Sequence, residues 1–139
     1  MVPILNDVQH GHCFYCRTSI GKAAINVDHF VPWSRYPVDL GHNFVLAHEK
    51  CNSAKSDHIA AARHLDAWVE RNDRCGTELA SAFNDQGVQH DLPTTLRITE
   101  WTYSQIAMAN GLTWEKGRTM VPLSSDWERE LRELIEKAA

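Results

Sequence analysis

Two matched pairs of residues constrain this chain more than anything else in it. Cys13 and Cys16 are separated by two residues, and so are His48 and Cys51. A two-residue gap lets both side chains of a knuckle converge on one ion, and Zn²⁺ takes four such ligands in a tetrahedron. The spacing therefore requires the residues between the pairs to close into one unit whose base is stapled to whatever follows Cys51. Units below roughly 40 residues usually need such a staple. His48 is the weakest of the four ligands. His42 is the other candidate for its place, at a less natural spacing from Cys51. Cys75 stands alone and reads as a small apolar residue near a helix junction.

The length of 139 residues suits one domain, a compact core with an appended helical part. A composition of 43% hydrophobic and 23% charged residues is ordinary for a soluble globular chain. No apolar run approaches the ~20 residues that span a bilayer. Met1-Val2-Pro3-Ile4-Leu5 has neither the basic start nor the apolar stretch of a signal peptide. These features point to a cytoplasmic protein with no membrane partner, where reduced thiols favour metal over disulfides.

The net charge of −4 does not advertise nucleic-acid binding. Residues 1–58 carry five Lys/Arg and five Asp/Glu, whereas residues 59–139 carry nine against thirteen. The acidic second part is therefore unsuited to lie along a phosphate backbone. Bound zinc and a second divalent cation are expected to make the first part more positive than residue counting suggests.

Residues 1–12 read as irregular. Ala23–Phe30 alternates and contains β-branched residues, so it reads as a strand. Pro32, Pro37 and Gly41 punctuate a loop from Val31 to His42, and Asn43–Ala47 forms a second short strand. From Glu49 the apolar residues Ala54, Ile59, Ala62, Leu65, Trp68 and Val69 predict one helix to about Asn72. A short helix follows Gly76, with Thr77 as its N-cap. Another covers 94–110, and Ser125 or Asp126 caps a last one through Lys137. The expected class is α+β: a zinc-containing ββα core over 1–72, then a helical extension over 73–139 packed on it. Trp68, Trp101, Trp114 and Trp127 are expected in the core, and neither His58 nor His64 is read as a ligand.

Asp28-His29 lies between the two pairs. Alone, an Asp-His dipeptide is ordinary surface chemistry. Three segments give it context: Val27-Asp28-His29-Phe30-Val31-Pro32, then Asn43-Phe44-Val45-Leu46-Ala47, then Cys51-Asn52-Ser53-Ala54-Lys55-Ser56-Asp57. In order and spacing they resemble the HNH endonuclease family, which has the ββα-metal fold. The resemblance covers about residues 13–60. It departs at His48, where many zinc-bearing members have cysteine, and imidazole is also a good zinc ligand.

The resemblance implies phosphodiester hydrolysis. His29 is then the general base, since imidazole is neutral near its ordinary pKa of about 6.5. Asp28 offers a carboxylate and Asn52 an amide oxygen to a catalytic Mg²⁺ or Mn²⁺. Asn43 is implied as a supporting residue that holds the loop or the His29 ring. Asp28 and His29 are neighbours on a strand, so they serve one site only if the strand ends or bends there. Bland readings stand beside these: Asn43 as a turn residue, Asn52 satisfying its own helix start, Lys55 as a solvated helix charge.

Arg35, Lys50 and Lys55 are candidate phosphate contacts. Trp33 is a candidate for stacking on a base, although an aromatic in a Pro-containing loop is more often local packing. The expected function is hydrolysis of DNA, most naturally double-stranded, with zinc structural and Mg²⁺ or Mn²⁺ catalytic. The acidic second part suggests that a targeting domain or partner protein supplies recognition. Two alternatives remain open: a non-catalytic zinc module that binds nucleic acid or protein, and an RNA-cleaving enzyme.

Overall fold

Strand β1 (Ile25–His29) and strand β2 (Phe44–His48) pair antiparallel, with Asn26 opposite Ala47, Asp28 opposite Val45 and His29 opposite Phe44. The computed structural model that defines this register describes residues 1–139. Successive strand residues face opposite ways, so the hairpin has two different sides. One side brings Ile25, Val27, Phe44 and Leu46 against Leu5 and Ile20. The other carries Val45 and Ala47 into the main core beside Phe14, Phe30 and Trp68. Asn26 and Asp28 share that second side.

Leu5 belongs to helix α1 (Val2–Val8), where the sequence predicts irregular chain. Pro3 in its first turn suits a helix start. Seven residues do not hold a helix unaided. Burial of Leu5 and Val8 decides the matter, and apolar periodicity over so short a stretch does not reveal it.

Helix α2 (Glu49–Lys55) follows β2 directly. The single helix expected from Glu49 to Asn72 is broken. The chain leaves helical geometry at Ser56, whose φ is 52°, and re-enters it in α3 (Ala62–Gln86). Ile59, Ala60 and Ala61 are buried in succession, a pattern that one helix stripe does not produce. Helix α3 then runs through Asn72 and Gly76, where the sequence reading ends one helix and begins another. The 72/73 division falls inside it. Gly76 marks a close approach rather than a break, because a Cβ there would lie 3.3 Å from the Leu92 side chain. The helix stops at Gly87, in the left-handed region at φ 68°.

Asp91 caps α4 (Leu92–Met108) by accepting from the Thr94 amide. A second hairpin, β3 (Leu112–Lys116) with β4 (Thr119–Pro122), lies where the sequence predicts no strand, and it carries Trp114. Helix α5 (Arg129–Ala138) begins later than the expected Ser125 or Asp126. Trp68, Trp114 and Trp127 are buried, but Trp101 is 56% exposed, against expectation. No helix is long and apolar enough to cross a membrane.

The β3–β4 hairpin fastens the link between α2 and α3. The Trp114 amide donates to the Ile59 carbonyl at 2.8 Å, and the Ala61 amide donates to the Trp114 carbonyl at 2.7 Å. From α4, the Tyr103 hydroxyl donates to the Ala60 carbonyl at 2.6 Å. The class is α+β as expected, a ββα unit followed by three helices and this added hairpin.

Candidate active site and metal centre

The two sequence pairs meet. The ligand atoms of Cys13, Cys16, His48 and Cys51 all lie within 4.8 Å of one another. His48 Nδ1 faces the thiols, 3.3 Å from Cys16 Sγ. Its Nε2 lies 3.3 Å from the Ser19 carbonyl oxygen. With its proton on Nε2, the ring donates to that carbonyl and keeps the Nδ1 lone pair for a metal. His42 is elsewhere: it is buried, with Nε2 3.0 Å from the Gly76 carbonyl. His48 is therefore the fourth member.

The thiols show why an ion belongs here. Burial, aided by Cys13 and Cys16, pushes the Cys51 thiol up to about 12. At Cys16 burial also pushes upward, but hydrogen bonds led by Thr18 outweigh it and bring the thiol to about 6. A dication among them removes this conflict and holds all three as thiolates. The donor set suits structural zinc. Three thiolates exceed its two positive charges, so the loaded site is formally −1. Zinc alone therefore adds no positive charge to this part of the chain, and the expected gain falls to the second dication.

Asp28 points into the core side of β1 and is only 9% exposed. The Tyr15 hydroxyl donates to its Oδ2 at 2.5 Å, and Lys55 Nζ lies 3.6 Å from the same oxygen. Both contacts fall on Oδ2, so Oδ1 has no protein partner. Asn52, on α2, donates from Nδ2 to Asn26 Oδ1 at 3.2 Å, leaving its own oxygen free. Asn26 and Asp28 lie two residues apart on one side of β1, so Asn52 reaches the same side that Asp28 occupies. A free carboxylate oxygen and a free amide oxygen fit a hard cation such as Mg²⁺.

His29 faces the other way. The β1–β2 ladder persists through His29, and its ring packs on its cross-strand partner Phe44 with centroids 5.0 Å apart. The bend that would bring Asp28 and His29 to one face does not occur within β1. His29 Nε2 lies 2.7 Å from Asp39 Oδ1, in the loop between the strands.

Asn43 clamps the start of that loop. Its Oδ1 accepts from the Val31 amide at 2.8 Å and its Nδ2 donates to the Val31 carbonyl at 3.0 Å. Asn43 is buried, so truncation strands both backbone groups. Asn43→Ala is expected to cost about 1–3 kcal/mol per stranded group. Urea unfolding measures it, and an unchanged midpoint would show that water replaces the amide without loss.

Lys55 departs from the expected surface contact. It is fully buried, its Nζ donating to the His29 carbonyl at 3.4 Å beside Asp28. Burial lowers its pKa, against the opposing pull of Asp28. Lys55 thus neutralises Asp28 internally rather than facing solvent. Arg35 and Lys50 are exposed and form no ion pair with any carboxylate. Trp33 is 55% exposed in the same loop as Arg35.

Residues 13–61, which hold the knuckle, β1, β2 and α2, match the family model for HNH endonuclease. Over this segment, about a third of the chain, the protein is similar to HNH endonucleases. No curated protein and no solved structure gives a significant match. The HNH segment supports nuclease function in general and implies a nucleic acid as substrate.

Sequence reasoning missed three neighbours of the HNH residues. Asn26 had a signal, since Asn26 and Asp28 are polar at period two and alternate with Ile25 and Val27. Tyr15 and Asp39 had none, because their partners lie 13 and 10 residues away across folded contacts.

Proposed function

We propose that this protein is an HNH-type endonuclease that hydrolyses DNA phosphodiester bonds, with structural zinc and a catalytic Mg²⁺ or Mn²⁺. The observation that carries this reading is Asp28 and His29 on opposite sides of the end of β1, within a zinc-knuckle frame of the HNH type. In-line displacement puts the attacking water and the leaving oxygen on opposite sides of phosphorus. A backbone phosphate crossing the strand end meets His29 on one side and Asp28 on the other.

His29 takes the proton from water. Asp39 accepts from Nε2, which fixes the tautomer and leaves Nδ1 as the base. Asp28 and Asn52 would hold the divalent cation, which supplies Lewis-acid stabilisation of the charge that gathers at phosphorus and the leaving oxygen. Asn43 fixes Val31, two residues beyond His29, and so steadies the root of the loop that carries Asp39. Arg35 and Lys50 offer free cations to flanking phosphates. Recognition of a particular site falls to a targeting domain or partner protein, since residues 59–139 carry the whole negative excess.

The test is incubation of zinc-loaded protein with supercoiled plasmid, linear duplex, single-stranded DNA and RNA, with and without Mg²⁺ or Mn²⁺. Plasmid nicking that depends on the added cation is the expected result. Cleavage of RNA alone would reassign the substrate. No cleavage of any substrate would favour a zinc module that binds without catalysis.

A further inference from the structure

We propose that Tyr15 is a positioning residue for the catalytic cation, through which the zinc knuckle sets the affinity of the second metal site. This rests on the reading of Asp28 as a ligand of that cation.

Tyr15 lies between the zinc ligands Cys13 and Cys16 and reaches across to β1. Its hydroxyl donates to Asp28 Oδ2, which leaves Oδ1 without a protein partner on the side of β1 that Asn52 reaches through Asn26. The hydroxyl is 13 residues from its partner in sequence, so only the folded knuckle brings it there.

The ring has no freedom to leave. Phe14, His64 and Trp114 meet it edge-on at centroid distances of 5.2, 5.4 and 5.2 Å. Lys55 Nζ lies 5.9 Å from its centroid. Those neighbours come from the knuckle, α3, β3 and α2. The knuckle backbone is itself fixed, the Phe14 amide donating to the Leu46 carbonyl on β2 at 2.9 Å.

Without the hydroxyl, Asp28 keeps Lys55 as its only polar contact from a side chain. A carboxylate that turns toward Lys55 offers a less constrained oxygen to the cation. Loss of a partner that orients a ligand typically weakens metal affinity 10–100-fold. The packed ring survives in Tyr15→Phe, which removes one oxygen and nothing else.

The experiment uses the full zinc-loaded chain without nucleic acid. Mn²⁺ binding is followed by electron paramagnetic resonance for wild type, Tyr15→Phe and Phe14→Leu, with zinc content measured on each. Tyr15→Phe is expected to keep one zinc per chain and to bind Mn²⁺ 10–100-fold more weakly. Phe14→Leu, which perturbs the same knuckle without touching Asp28, should bind Mn²⁺ as wild type does. The Mg²⁺ titration of cleavage should shift by the same factor, with the plateau rate recovered at saturating cation. An unchanged Mn²⁺ affinity in Tyr15→Phe overturns the proposal, as does equal weakening in Phe14→Leu. Loss of zinc from Tyr15→Phe also overturns it, because the hydroxyl is assigned to Asp28 and not to the hold on zinc. If Mn²⁺ affinity shifts but no protein cleaves DNA, the nuclease reading fails and this one stands.

Discussion

His29→Ala is expected to lower plasmid nicking by roughly 10²–10⁴-fold, the usual worth of a positioned general base. The fold should not change. The His29 side chain is partly exposed, it packs on Phe44 at the hairpin end, and its polar partner Asp39 is more exposed still. Substitutions at such positions usually stay within about 0.5 kcal/mol. Zinc content and the melting temperature should therefore match wild type while cleavage is lost. The variant also separates His29 from Asp28. Asp28 is tied to Tyr15 and Lys55 inside the protein, so Asp28→Ala leaves a buried ammonium without its carboxylate. That change should destabilise the chain as well as disable it. A purified His29→Ala protein that nicks at the wild-type rate would remove the general base from the mechanism.

The zinc frame was legible because ligand spacing is a local property. Two residues between each pair are visible in the chain, and a tetrahedral ion needs little else. The two strands were legible from alternation. Their register was not, and register decides which side Asp28 and His29 face. The break after α2 was hidden because Ala54, Ile59 and Ala62 mimic a helical stripe, although Ile59, Ala60 and Ala61 are all buried together. The helix stops at Lys55, and the link that follows is held extended by the bridge of Ala60 to Trp114, a residue far along the chain. Lys55 misled for a similar reason. On a lone helix it reads as a solvated charge, and only the packing of α2 against β1 and Tyr15 encloses it. Gly76 looked like a stop, whereas it is the point where α4 begins close against α3.

Removal of zinc should open more than the knuckle. Structural zinc contributes on the order of 10–16 kcal/mol of apparent binding free energy in small zinc units. A whole domain is stable by only about 5–15 kcal/mol. Cys13, Phe14 and Tyr15 belong to the same 19-residue core cluster as Trp68, Tyr103, Trp114 and Leu131. The knuckle is therefore a wall of the main core, and its loss exposes rings that α3, α4 and β3 rest on. Chelation is expected to release one zinc per chain, abolish the near-ultraviolet dichroism of these aromatics and lower the melting temperature by at least about 10 °C, taking roughly 3 °C per kcal/mol at this length. Cys51→Ser should do the same without chelator. The pH dependence has a definite sign. Without metal the Cys51 thiol is held up to about 12, so zinc displaces a proton from it at neutral pH. Falling pH restores that proton's competition, and zinc affinity must weaken toward acid. If the stripped protein keeps its dichroism and its melting temperature, the helical core stands alone and the knuckle serves only the site. In that case the loss on chelation should fall on cleavage and Mn²⁺ binding through Tyr15 and Asp28, with folding untouched.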